Sequence, residues 1–193
     1  MQMSYLKKIE YEVIPRDSFP VIRNCAKCGR KTHFINTKKF RVNANGNKLD
    51  VWLIYQCEEC KHTLNLAIYE RQRVSSIAEE EYERFLANDE QLTEMYGRNI
   101  QLFRKNKADI DMGAVEYEFV KLKEMVETSA SEEKTVITIH NPYQLKIRPE
   151  KHIAEMLGLS RNQMKRRMDL GEIKLDRSLP QYISVTIDGT NLI

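Results

Sequence analysis

The chain has 193 residues, 41% of them hydrophobic and 31% charged, with 7 Gly and 5 Pro, which excludes a collagen-like or wholly disordered polypeptide. Its longest uninterrupted apolar run, Val51 to Tyr55, falls far short of the ~20 residues of a membrane span, and residues 1–10 lack a signal peptide's apolar core. The net charge of +3 is uneven: residues 1–74 hold 14 Lys/Arg against 7 Asp/Glu, residues 75–134 hold 8 against 15, and residues 135–177 hold 9 against 5.

Basic ends around an acidic middle fit an anionic partner, although solvated charge alone produces the same pattern. The expectation is a cytoplasmic protein without membrane contact. Three regions follow from these shifts: 1–74, 75–134 and 135–193.

All four cysteines lie in two pairs, Cys25-Ala-Lys-Cys28 and Cys57-Glu-Glu-Cys60, with 28 residues between the pairs. Without a secretory signal, metal binding is favoured over disulfides. A C-x-x-C turn points two sulfurs the same way, and two such knuckles complete a tetrahedral thiolate cage for one zinc ion. A thioredoxin-like redox pair needs a single motif at a helix start within a βαβ unit, and neither pair sits in one. Residues 31–37 and 51–55 read as strands joined by a turn at Asn43–Asn47, with a third strand at Leu64–Tyr69. Knuckle, hairpin, knuckle, strand is a zinc-ribbon pattern. Four thiolates leave no open position, so the zinc is expected to be structural, and His33 and His62 read as surface or packing residues. Lys27, Arg30, Lys31, Lys38, Lys39 and Arg41, interleaved with Phe34 and Phe40, offer either a backbone-tracking, base-stacking patch or plain solubilising surface.

Residues 76–107 read as two or three short helices, interrupted at Asn88-Asp89 and Gly97–Asn99. Ala114–Val120 alternates and predicts a strand, Thr128–Lys134 a loop, and Thr135–Ile139 another strand. The acidic charge here is most simply a solvated helix face.

In the C-terminal region Pro149 suits a helix start and Gly158 its end, with Ile153 and Leu157 facing a core. Ser160 and Gln163 form an S-x-x-Q capping box opening a second helix, which buries Met164 and Met168 and stops at Gly171. Strands are expected at Glu172–Leu175 and Ile183–Ile187. At ~100° per residue, Arg161, Asn162, Lys165 and Arg166 fall within one arc of about 140° on that second helix. Arg148 and Lys151 join the same surface if the two helices pack as a hairpin. Cations beginning at a helix N-terminus suit phosphate.

Arg148, the Ser160-Arg161 pair, Lys165, Gly171-Glu172-Ile173 and the ending Gly189–Ile193 together resemble the S4 RNA-binding domain of a ribosomal small-subunit protein, over residues 146–193. The pattern departs at Pro149-Glu150, Arg167-Met168 and Thr190. The resemblance implies an α-α-β unit whose basic helical face binds structured RNA, ribosomal or transfer RNA, with Arg148, Ser160, Arg161 and Lys165 at the matching positions, and the arc reading adds Lys151, Asn162 and Arg166 to that face. A four-Cys ribbon ahead of such a domain also resembles an uncharacterised bacterial family known only as a domain of unknown function.

Residues 152–166 resemble a helix-turn-helix as well, with Gly158 in the turn, which would make DNA the ligand. A third reading is a zinc-ribbon adaptor for protein partners. With no phosphate loop, no H-E-x-x-H and no nucleophile beside a base, the chain is not expected to be an enzyme or to take a small-molecule substrate. The expected fold class is α+β: an N-terminal β-rich zinc ribbon, central short helices and a C-terminal S4-like α-α-β unit.

Overall fold

The structure, a computed structural model, describes residues 4–129, 133–179 and 181–189. The chain divides into two compact units, residues 15–116 and residues 1–14 with 117–193. Those boundaries differ from the charge shifts at 74/75 and 134/135.

In the unit 15–116, strands β2 (Val21–Cys25), β3 (Arg30–Asn45), β4 (Lys48–Cys57) and β5 (Thr63–Arg73) form one antiparallel sheet in chain order. Gly46, at φ +60°, and Asn47 turn β3 into β4 with Asn45 opposite Lys48. Strict alternation on β4 gives the sheet two faces. Leu49, Val51, Leu53 and Tyr55 are fully buried, while Asp50, Trp52, Ile54 and Gln56 point the other way and stay partly exposed.

Three short helices, α1 (Glu79–Leu86), α2 (Glu90–Gly97) and α3 (Ile100–Lys105), cover the buried face. Their ends are local chemistry. Asp89 accepts the Leu92 N–H at 2.7 Å, and Asn99 accepts those of Gln101 and Leu102 at 3.0 and 3.3 Å. Phe85 meets Phe40 edge-on at 4.8 Å and stacks on Tyr96 at 5.8 Å, and Phe103 lies 6.0 Å from both Phe19 and Tyr55.

The other unit holds β1 (Ser4–Pro15), β6 (Tyr117–Ser129), β7 (Lys134–His140), α4 (Pro149–Met156), α5 (Arg161–Asp169), β8 (Ile173–Leu179) and β9 (Tyr182–Asp188). Its sheet runs β6-β1-β7-β9-β8, with β1 parallel to β7 and β9 antiparallel to both neighbours. Ile137, Ile139, Val185, Ile187 and Val13 are buried on the sheet, together with Ile153 of α4 and Met164 of α5. His152 of α4 stacks on Phe119 at 3.9 Å and meets Tyr11 edge-on at 4.8 Å.

The expected α+β class does not hold. The described residues are mostly β, nine strands in two sheets with five short α-helices, and the C-terminal region is not an S4-like α-α-β unit. The physical reason is β1: Ile9, Tyr11 and Val13 alternate with Lys8, Glu10 and Glu12, so this segment pairs with β7 and makes the C-terminal strands part of a five-stranded sheet. The strand expected over 114–120 begins at Tyr117. The S4-type ending at residues 190–193 and residues 130–132 of the expected loop lie outside the described residues.

Candidate functional site

The two C-x-x-C segments stand at one end of the four-stranded sheet, where β2 ends at Cys25 and β4 ends at Cys57. Each closes with the same turn. The Gly29 N–H donates to the Cys25 carbonyl at 2.9 Å and the Lys61 N–H to the Cys57 carbonyl at 3.0 Å, with Gly29 at φ +69° and Lys61 at φ +61°. These left-handed residues reverse the chain just after each pair, so both sulfurs of a knuckle face inward.

The four Sγ atoms lie within 4.8 Å of one another, with Cys25–Cys60 at 3.5 Å and Cys28–Cys57 at 3.8 Å. A tetrahedron with metal–sulfur bonds of ~2.3 Å has edges of about 3.8 Å, so the cluster has the dimensions of a closed MS4 site. The cysteines are free rather than disulfide-linked. Electrostatics point the same way. Burial raises the Cys57 thiol, but the N–H groups of Cys60 and Glu59 and the Thr32 hydroxyl outweigh it and pull the thiol down to about 6. Cys28 moves the opposite way, raised chiefly by its hydrogen bond with Cys60 and then by burial. Four crowded sulfurs cannot all ionise without a cation among them. The donor set therefore fits a metal ion such as zinc.

Beside this cluster, Nε2 of His33 donates to Asp111 at 2.8 Å, and that bond holds the Asp111 carboxyl below its usual range. The basic run expected around the ribbon is sorted by the fold. Arg30 pairs with Glu59 at 2.8 Å, and Lys38 pairs with Glu90 and, at 3.5 Å, with Glu94. Lys31, Lys39 and Arg41 are exposed, with no carboxylate partner among the described residues. Phe34 and Phe40 are 1% and 9% exposed, so neither offers a face to a base, because both supply the core under α1–α3. Sequence reasoning passed over Trp52. Its outward register between buried Val51 and Leu53 was the available signal, and Arg41 sits 5.9 Å above its ring.

In the other unit the expected capping box is formed. The Gln163 N–H donates to Ser160 Oγ at 3.3 Å and the Ser160 N–H to Gln163 Oε1 at 2.8 Å. With its first turn fixed, α5 presents Arg161, Asn162, Lys165 and Arg166 to solvent while Met164 is buried. Among the described residues no carboxylate pairs with Arg161, Lys165 or Arg166. Arg148 stands exposed at the N-cap of α4, its own N–H bonded to the Tyr117 hydroxyl at 3.2 Å. Lys151 is exposed but lies 3.7 Å from Glu155, one turn along. Arg167, off this face, pairs with Glu172 at 3.6 Å.

No described helix is long and apolar enough to cross a membrane. No match appears among curated proteins or solved structures. The family described as "Protein of unknown function (DUF1062)" matches residues 42–179, more than half of the chain, a span holding Cys57, Cys60 and both helices of the α4–α5 pair but not Cys25 or Cys28.

Proposed function

The chain belongs to this family of unknown function, and we propose that it is a non-enzymatic, zinc-stabilised protein that binds structured RNA through the exposed face of α5. The observation that carries the reading is the set Arg161, Asn162, Lys165 and Arg166. Three cations leave the first two turns of a rigidly capped helix with no carboxylate partner among the described residues, while Lys151 and Arg167 nearby are each paired. Unpaired cations at a helix N-terminus are matched to phosphate oxygens, and the exposed Asn162 adds a donor and an acceptor for base or sugar. Zinc is the metal assigned to the four thiolates, since a closed sulfur tetrahedron suits it and leaves no position for substrate. Its role is to pin two strand ends of a small sheet.

DNA is the second reading. A four-residue turn, Leu157 to Ser160, with Gly158 at φ +63°, joins α4 to α5 as in a helix-turn-helix. The discriminating experiment is binding of the full chain to an RNA stem-loop and to a matched DNA duplex across a salt series. Tighter RNA binding, weakening as counterions are released, is expected. Replacing Arg161, Lys165 and Arg166 with Glu is expected to abolish it while leaving the melting temperature nearly unchanged. Tighter duplex DNA binding would replace RNA with DNA, and unchanged affinity of the triple variant would remove α5 from the site.

A further inference from the structure

The outward face of the four-stranded sheet is not used by the readings above. It carries Ile35 and Arg41 from β3 opposite Gln56 and Trp52 of β4, and Thr63 and Asn65 from β5 opposite Gln56 and Ile54 of β4, with His33 two residues before Ile35. Ile35, an isoleucine, is 43% exposed there. Between Asn36 and Phe40 the pairing slips, so that Thr37, Lys38 and Lys39 lie opposite Ile54 alone. Thr37 holds this bulge by donating to the Ile54 carbonyl at 2.9 Å, and Lys38 sits at φ +56°, a conformation unfavourable for lysine. The bulge opens a groove of about 650 Å³ lined by Ile35, Thr37, Lys39, Ile54, Glu58 and Lys61, among others.

The charge around this face is predominantly basic, with Glu58 the carboxylate in the groove lining and His33 held by Asp111 at 2.8 Å. Lys31, Lys39, Arg41 and Lys61 have no carboxylate partner among the described residues, although Lys61 donates to the Glu58 carbonyl at 3.0 Å. Arg41 lies over the Trp52 ring instead of beside an acid, and Asp50, the carboxylate nearest in register, is occupied by the Arg71 N–H at 2.6 Å. A sheet face bearing two isoleucines and a tryptophan, edged by cations without a carboxylate partner among the described residues, complements a strand that carries flat bases and a phosphate chain together.

We propose that this sheet face binds single-stranded nucleic acid, a base stacking at Trp52 and the backbone following the groove past Lys39, Arg41 and Lys61. The platform lies wholly in the unit 15–116 and does not depend on the α5 reading. It accounts for an isoleucine groove, a held bulge and a set of unpaired cations in the same place.

Trp52 is the only tryptophan in the chain, so its fluorescence reports on this site alone. Titrating the metal-loaded full chain with short oligouridine RNA is expected to quench that emission saturably. Trp52→Ala, followed by anisotropy of a labelled RNA, is expected to weaken binding by about tenfold, the loss of one stacked base. Because that change also removes packing, the triple variant K39E/R41E/K61E, which keeps the reporter, is expected to abolish quenching. The variant R161E/K165E/R166E is expected to leave it intact. Binding of RNA with unaltered Trp52 emission would overturn the platform while leaving α5 standing. Quenching abolished by the α5 variant and not by the sheet variant would overturn it too. Equal quenching by poly-glutamate would replace nucleic acid with an acidic protein as the occupant.

Discussion

In residues 15–116 four strands follow one another in sheet order, and four sulfurs gather where β2 and β4 end. In residues 1–14 with 117–193, five strands come from both ends of the chain, no cysteine is among them, and the sheet order is β6-β1-β7-β9-β8. The interiors differ accordingly. The first unit packs Phe19, Phe34, Phe85 and Phe103 among leucines and valines, whereas the branched aliphatics of β7, β9 and α4 dominate the second. A sheet of sequence neighbours forms by short loop closures, and four sulfurs that could hold a metal gather at its open end. A sheet joining distant segments must offset a larger loop entropy with continuous apolar contact.

The sharpest way to break this contrast is to remove the metal. Ligation energy in isolated zinc-finger peptides is on the order of 10 kcal/mol, and here it is confined to one unit. A strong chelator, or Cys57→Ser, should collapse hydrogen-exchange protection across β2–β5 while β7 and β9 keep theirs. Metal analysis should return one zinc per chain beforehand. Equal loss in both units would mean that they do not fold independently, and the absence of metal in carefully purified protein would remove zinc from the account.

A smaller effect separates the two units by their glycines. Gly97 ends α2 against β3, where an added Cβ would lie 2.2 Å from Ser18 Oγ, 2.5 Å from Ser18 Cβ and 2.9 Å from Asn36 Nδ2. The backbone cannot retreat easily, since the Phe19 N–H donates to the Gly97 carbonyl at 2.8 Å. Gly97→Ala should therefore cost ~1–3 kcal/mol by overpacking. Gly158, between α4 and α5, has open space around it but sits at φ +63°, so its alanine variant should lose ~1–2 kcal/mol through backbone conformation alone. Denaturation of the double variant Ser18→Gly/Gly97→Ala tests the packing cause at Gly97. Part of the stability should return, because the nearest clash is gone. No recovery would mean that the remaining 2.9 Å contact with Asn36 Nδ2 and the Asn36–Ser18 hydrogen bond lost with the hydroxyl outweigh the relieved clash.

The same contrast explains what the sequence made readable. Knuckle spacing, the hairpin turn at Gly46, the helix breaks at Asn88 and Gly97 and the Ser160 capping box all act over a few residues, and each stands where local chemistry places it. The four-sulfur cluster was legible for that reason, being two local motifs. The pairing of β1 with β7 joins residues over a hundred positions apart, and no pattern within either strand names its partner. Hence a C-terminal α-α-β unit was expected where the chain builds a five-stranded sheet. Phe34 and Phe40 were misjudged on the same account: their spacing among lysines suggests a binding patch, and only the position of α1–α3 reveals that they face the core. Trp52 had the opposite fate, hidden in an apolar run whose alternation points it outward.

The smallest expected effect tests whether the second unit has a titrating weakness of its own. His152 lies between Phe119 and Tyr11, and its Nε2 is buried without a partner among the described residues. Burial depresses its protonation below the ordinary 6.5, outweighing Glu155, which favours the charged form. A histidine with a depressed folded-state pKa binds its proton more readily when unfolded. Above 6.5 both states are neutral and the group is indifferent to pH. As pH falls through 6.5 the unfolded chain takes up the proton first, so stability declines until the folded-state value is also passed. Melting of this unit, followed by hydrogen exchange on β7 and β9, should therefore weaken between neutral and mildly acidic pH. His152→Phe keeps a ring against Phe119 and removes the titration, so it should flatten that slope. A slope unchanged by the variant would place the proton elsewhere in the unit and leave His152 as packing alone.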